Sequence, residues 1–124
     1  MSTKLQDFPS ATAVVAGFYP GVQSSSVDGP AVDLGTGDGP CFAVQMVGNV
    51  AAGTTLAGHV EQSDDQTTWT AISGATFTTV TTSNHVEAIQ FTPTARYVRW
   101  SAALIGADPS AAVAALIGRQ KKTI

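Results

Sequence analysis

The chain has 124 residues, 44% of them hydrophobic and only 12% charged, with a formal net charge of -3, a pI near 5.0 and a single cysteine. This length holds one folded domain with a core of its own and leaves no room for a second, and the composition is not that of a disordered chain. The charge balance excludes a broad nucleic-acid footprint, the lone Cys41 excludes an intrachain disulfide, and no uninterrupted apolar run reaches the length of a membrane span.

Residues 1 to 12 carry little periodicity and hold Pro9-Ser10, so they are expected to form an arm ordered by what it touches, with the domain proper over 13–124. The start of the chain lacks the apolar stretch of a secretion signal, which sets the expectation of synthesis in a host cytoplasm. An apolar segment follows from Ala13 to Tyr19, stopped by Pro20-Gly21.

Turn residues then punctuate the chain at strand-length intervals: Asp28-Gly29-Pro30, Gly35 to Pro40, Gly48-Asn49, Gly53, Ser63-Asp64-Asp65, Ser73-Gly74, Ser83-Asn84, Pro93 and Asp108-Pro109. Within the run from Cys41 to Val47, the Phe42, Val44 and Met46 set and the Cys41, Ala43, Gln45 and Val47 set are both largely apolar, the pattern of a central strand. Half-buried strands are predicted over Leu56 to Gln62, Thr67 to Ile72, Ala75 to Thr81 and Val86 to Phe91. In the next strand Val98, Trp100, Ala102 and Leu104 share the core side, with Arg96 at its edge. The segment from Ala111 to Ile117 has the start and stop signals of a helix, yet a strand there closes a sheet made only of strands and is preferred. Eight or nine short strands make an all-β fold, a β-sandwich with the jelly roll among its admissible topologies.

Groups able to do chemistry are scarce. His59 and His85 have no partner at a metal-ligand spacing, so no metal and no cofactor is expected. Asp64 and Asp65 lie in a turn whose backbone N–H groups short acidic side chains cap. Gly35-Thr36-Gly37-Asp38-Gly39 runs into Pro40 and an apolar strand without the helix and lysine of a phosphate loop. Ser24-Ser25-Ser26 is not set in a nucleophile elbow, and Cys41 reads as a small buried hydrophobe. No catalytic residue is assigned, and the chain is expected not to be an enzyme.

Three segments, Val32-Asp33-Leu34, Val60-Glu61-Gln62-Ser63-Asp64-Asp65-Gln66-Thr67-Thr68-Trp69-Thr70 and Phe91-Thr92-Pro93-Thr94-Ala95-Arg96-Tyr97-Val98-Arg99, resemble those of tailed-phage head decoration (cement) proteins of the small β-sandwich type. The resemblance spans roughly residues 21 to 120 and includes Leu116-Ile117-Gly118-Arg119 as its closing strand. It implies a structural virion protein that docks on the outer surface of an assembled capsid, stabilises contacts between major capsid subunits and forms a dimer or trimer. It carries over no catalytic residue and implies neither nucleic acid nor membrane as a partner.

The "SDDQTTW" and "ARYVR" segments are also similar to the discoidin-type carbohydrate-binding sandwich, although this chain is shorter and lacks that family's paired cysteines. A glycan-binding module therefore stands as the alternative, as does another virion role such as a head fibre base or tail protein. Candidate interface residues are Leu5 and Phe8 of the arm, the aromatics Phe18, Tyr19 and Trp69, and Arg119 at the basic end. Trp69, directly after a turn, is expected to cover the core edge or to anchor a partner.

Overall fold

The computed structural model describes residues 12–34 and 39–120, so Leu5, Phe8 and the rest of the arm before Thr12 lie outside the described residues. The described chain is all β: β1 (Thr12–Gln23), β2 (Val27–Asp28), β3 (Val32–Asp33), β4 (Cys41–Val50), β5 (Thr55–Ser63), β6 (Thr70–Thr76), β7 (His85–Phe91), β8 (Tyr97–Ile105) and β9 (Ala111–Gln120). These form a four-stranded sheet in the order β1-β9-β4-β7 and a five-stranded one in the order β2-β8-β5-β6, with β3 also on β8.

Every ladder is antiparallel. Gly29, Pro30 and Ala31 separate β2 from β3, and both pair with β8, so the two are halves of one interrupted strand. Counted so, the chain folds as a ribbon of antiparallel pairs, β1 with β9, β2/β3 with β8, β4 with β7 and β5 with β6, rolled until alternate pairs fall in opposite sheets. That topology is a jelly roll.

Alternation along each strand fills the space between the sheets. One sheet contributes Cys41, Ala43, Gln45 and Val47 from β4 and Ala111, Val113, Ala115 and Ile117 from β9. The other contributes Leu56 and Val60 from β5 and Val98, Trp100, Ala102 and Leu104 from β8, with Phe77 and Val80 closing the edge. The inward sets mix small side chains, such as Ala43, Ala111 and Ala115, with large ones, such as Trp100 and Leu56, as interdigitation requires.

The structure resolves the ambiguous last element as a strand: Ala111, Val113, Ala115 and Ile117 point in while Ala112, Ala114 and Leu116 point out, a period of two. The face assigned to Val98, Trp100, Ala102 and Leu104 is likewise observed, with all four buried.

Three predicted breaks are corrected. Pro20-Gly21 does not end the first strand; β1 continues past it with register shifts between Ala16 and Phe18 and between Phe18 and Gly21. Proline is tolerated there because β1 is an edge strand and the bulge frees its ring from the ladder. Gly48-Asn49 likewise lies inside β4, at a shift between Val47 and Val50. Ser73-Gly74 is not a turn between two strands. Gly74, at φ +81°, lies in a bulge within β6, and the chain then follows β5 onward through the Phe77 N–H to Gly58 carbonyl bond and the Leu56–Val80 bridge.

Candidate interaction surface

The two outer faces differ in kind. On the five-stranded sheet the outward positions mix Ala57, Ala103 and Ile105 with polar side chains, several of which are paired. Arg99 Nε donates to Glu61 Oε1 at 2.8 Å, its Nη1 lies 3.8 Å from Asp28 Oδ2, and His59 Nε2 lies 3.0 Å from Glu61 Oε2. Burial pushes the Glu61 carboxyl up, but hydrogen bonds from His59 and Arg99 and their charges outweigh it and hold the group below the usual glutamate range. Arg96 makes a two-pronged pair with Asp33 at 2.8 and 2.9 Å.

On the four-stranded sheet the outward positions include Val14, Ala16 and Val22 of β1, Ala112, Ala114 and Leu116 of β9, Phe42, Val44 and Met46 of β4, and Val86 and Ala88 of β7, with Gln90 at one margin. Their order follows from register: Ala16, Leu116, Val44 and Ala88 form one row across all four strands. Val14, Gly118, Phe42 and Gln90 form the next. Among the described residues none on this face is charged. Met46, Val14 and Val86 are 45%, 50% and 71% exposed.

The face is also smooth. Phe42 sits directly opposite Gly118, and its ring occupies the space that a Cβ on Gly118 would take, so the aromatic lies over the glycine and not out into solvent. Pro20, Met46, Ala112 and Ala114 border a shallow apolar depression of about 210 Å³ beside the β1 bulge.

The candidate residues named from the sequence are scattered. Phe18 turns inward and packs its ring 5.0 Å from that of Trp100. Tyr19 is 75% exposed at the β1 bulge. Trp69 lies against the guanidinium of Arg99, whose carbon is 4.4 Å from the ring centre, so one face of the indole is already occupied. Arg119 is half-buried opposite Cys41. Burial pushes the Cys41 thiol up and the Arg119 charge draws it partly back. The apolar outer face was missed in sequence as a site, though its signal was present in the Phe42, Val44 and Met46 alternation.

The other candidate groups are committed elsewhere. Asp65 Oδ1 accepts from the Thr67 and Thr68 N–H groups at 2.8 and 3.0 Å and from the Ser63 hydroxyl at 2.9 Å, and these bonds, led by Thr68, hold its carboxyl below the usual range. His85 shares a 2.7 Å bond with Thr82, and Ser26 accepts from the Leu104 N–H. Among the described residues no group of three or more His, Cys, Asp or Glu converges as a metal site would need. No helix of the described residues is long and apolar enough to cross a membrane.

No protein-family model matches the chain, and no curated protein does. Among solved structures it is similar to the SPBc2 prophage-derived protein YomS, with 13% identity and a TM-score of 0.56 over 86% of this chain and 92% of that one. It is also similar to a chain of the T13 IBDV viral particle, with 12% identity and a TM-score of 0.51 over 86% of this chain and 30% of that one. The C-terminal family 22 carbohydrate-binding module of Clostridium thermocellum Xyn10B aligns with 13% identity and a TM-score of 0.49, over 91% of this chain and 83% of that one. The first two likenesses show a shared β-sandwich fold.

Proposed function

We propose that this chain is a non-enzymatic structural protein of a virion, which docks on the outer surface of an assembled phage capsid and stabilises contacts between major capsid subunits. The observation that carries this reading is the uncharged apolar outer face of the four-stranded sheet. A face of that kind is a hazard on a solitary soluble domain and a working surface in an assembly. The fold supports the reading, since it is shared with a prophage-derived protein and with a chain of a viral particle. So does the commitment of Asp65, Glu61 and both histidines to internal hydrogen bonds, which leaves little to carry out a reaction.

Weak contacts repeated over a symmetric shell reinforce one another, so the individual docking interface can be modest. The test is to add purified protein to shells of the same phage assembled without it, and to measure occupancy by electron microscopy and the shells' resistance to heat. Saturable decoration with raised heat resistance is the expected result. Binding to a glycan panel with no attachment to shells overturns the reading in favour of a carbohydrate-binding module.

A further inference from the structure

We infer that the outer face of the four-stranded sheet is covered by a second copy of this chain, packed face to face about a two-fold axis. The inference rests on the reading of that face as an assembly surface and names its occupant.

Size is the first argument. Four strands at their usual spacing, over the seven residues from Cys41 to Val47, make a plate roughly 20 Å by 23 Å. Its accessible surface exceeds that projection because side chains corrugate it. Two such plates bury on the order of 1,000 Å² or more, where specific interfaces begin.

Chemistry is the second. A capsid exists only after assembly, whereas the free protein must stay in solution beforehand, and a patch of this size is at the upper end of what soluble monomers expose. Interface centres are depleted of charge, and those of homodimers are the more apolar. The opposite outer face differs in carrying charged side chains, with Arg99 paired to Glu61 and Asp28.

Shape is the third. A sheet face meets another at about 10 Å, with strands nearly aligned, when the side chains of the two interdigitate. Here large and small side chains do not alternate along the row: Leu116 and Val44 form a central ridge flanked by Ala16 and Ala88, and Phe42 is laid down over Gly118 in the next row, so a second plate can seat its own ridge beside this one. A two-fold operation sets such a surface against itself without a second, complementary patch.

The test uses the full-length chain without capsids. Sedimentation and light scattering at micromolar concentration should give a dimer. Val44→Glu and, separately, Leu116→Glu should raise the dimer dissociation constant by on the order of 100-fold or more, while circular dichroism stays that of a folded β domain. Should one variant fail to fold, the other still reports.

A wild-type monomer at all concentrations, a trimer, or variants that remain dimeric each overturn the inference. If the wild type is monomeric and the face variants lose shell attachment, the capsid itself covers the face. The partner is then wrong and the virion reading stands. If the wild type is dimeric and never decorates shells, the virion reading fails and the dimer stands.

Discussion

Across the core, the indole N–H of Trp100 on β8 donates to the side-chain carbonyl of Gln45 on β4 at 3.0 Å, joining the two sheets through a bond between two fully buried side chains. Gln45 is the one buried polar residue of the strand's inward set, and it satisfies the one polar group that a buried tryptophan brings. Gln45→Leu keeps the volume and leaves the indole N–H unpaired. It is expected to lower unfolding stability by about 1 to 3 kcal/mol in denaturant melts, and an unchanged midpoint would show that the bond contributes nothing net.

Gly58 belongs to the same arrangement. A Cβ there would overlap Gln45 Oε1 and crowd Trp100 Nε1, so the glycine makes room for the bond. Gly58→Ala is expected to cost about 1 to 3 kcal/mol by overpacking. Because both substitutions act on one contact, Gly58→Ala in a Gln45→Ala background should cost clearly less than alone. Strict additivity in the double-mutant cycle would mean that Gly58 matters for some other reason.

On the polar face the prediction concerns pH. The Glu61 carboxyl is held below the ordinary glutamate value in the folded chain by Arg99 and His59, against the upward push of burial. Its contribution to stability is therefore complete above the pH where glutamate titrates in the unfolded chain, and is lost as pH falls through the lowered folded value. Wild type should be more stable than Glu61→Gln at neutral pH, and the two stability curves should converge in acid below the normal glutamate range. Curves that stay parallel throughout would show that these partners do not lower the Glu61 carboxyl's pKa in the folded chain.

How much of this was legible in the sequence depends on which interaction set each feature. Strand faces read well wherever one side is buried, because alternation then has a single consequence: Trp100, Val98 and Leu104 could be placed inward from their spacing alone. Breaks read less well. Pro20 and Gly74 look like ends of strands, yet each sits in a bulge, a distinction made by the neighbouring strand and not by local chemistry. The Gln45–Trp100 bond was hidden because its partners are 55 residues apart. The apolar outer face was hidden differently. Two apolar sides on β4 correctly marked a central strand, but that pattern is the same whether the second side is covered by this chain or by another.

The last prediction tests the smoothness of that face through Gly118. A Cβ at this position would enter the space held by the Phe42 ring, which lies over the glycine from the adjacent strand. Phe42 is half-buried and borders solvent in the isolated chain, so its ring has room to swing outward. Gly118→Ala is thus expected to cost the isolated fold less than about 1.5 kcal/mol, far below a core overpacking, while raising the aromatic out of the plate and weakening self-association. Phe42→Ala removes the ring and should make Gly118→Ala nearly neutral for stability, since the two side chains then no longer compete. Thermal melts and sedimentation on the four proteins of this cycle read both effects. A loss of several kcal/mol in Gly118→Ala alone would show that the ring is locked in place and cannot move aside. Unchanged sedimentation with a modest melting shift would show that the flatness of this face is not used for contact between copies.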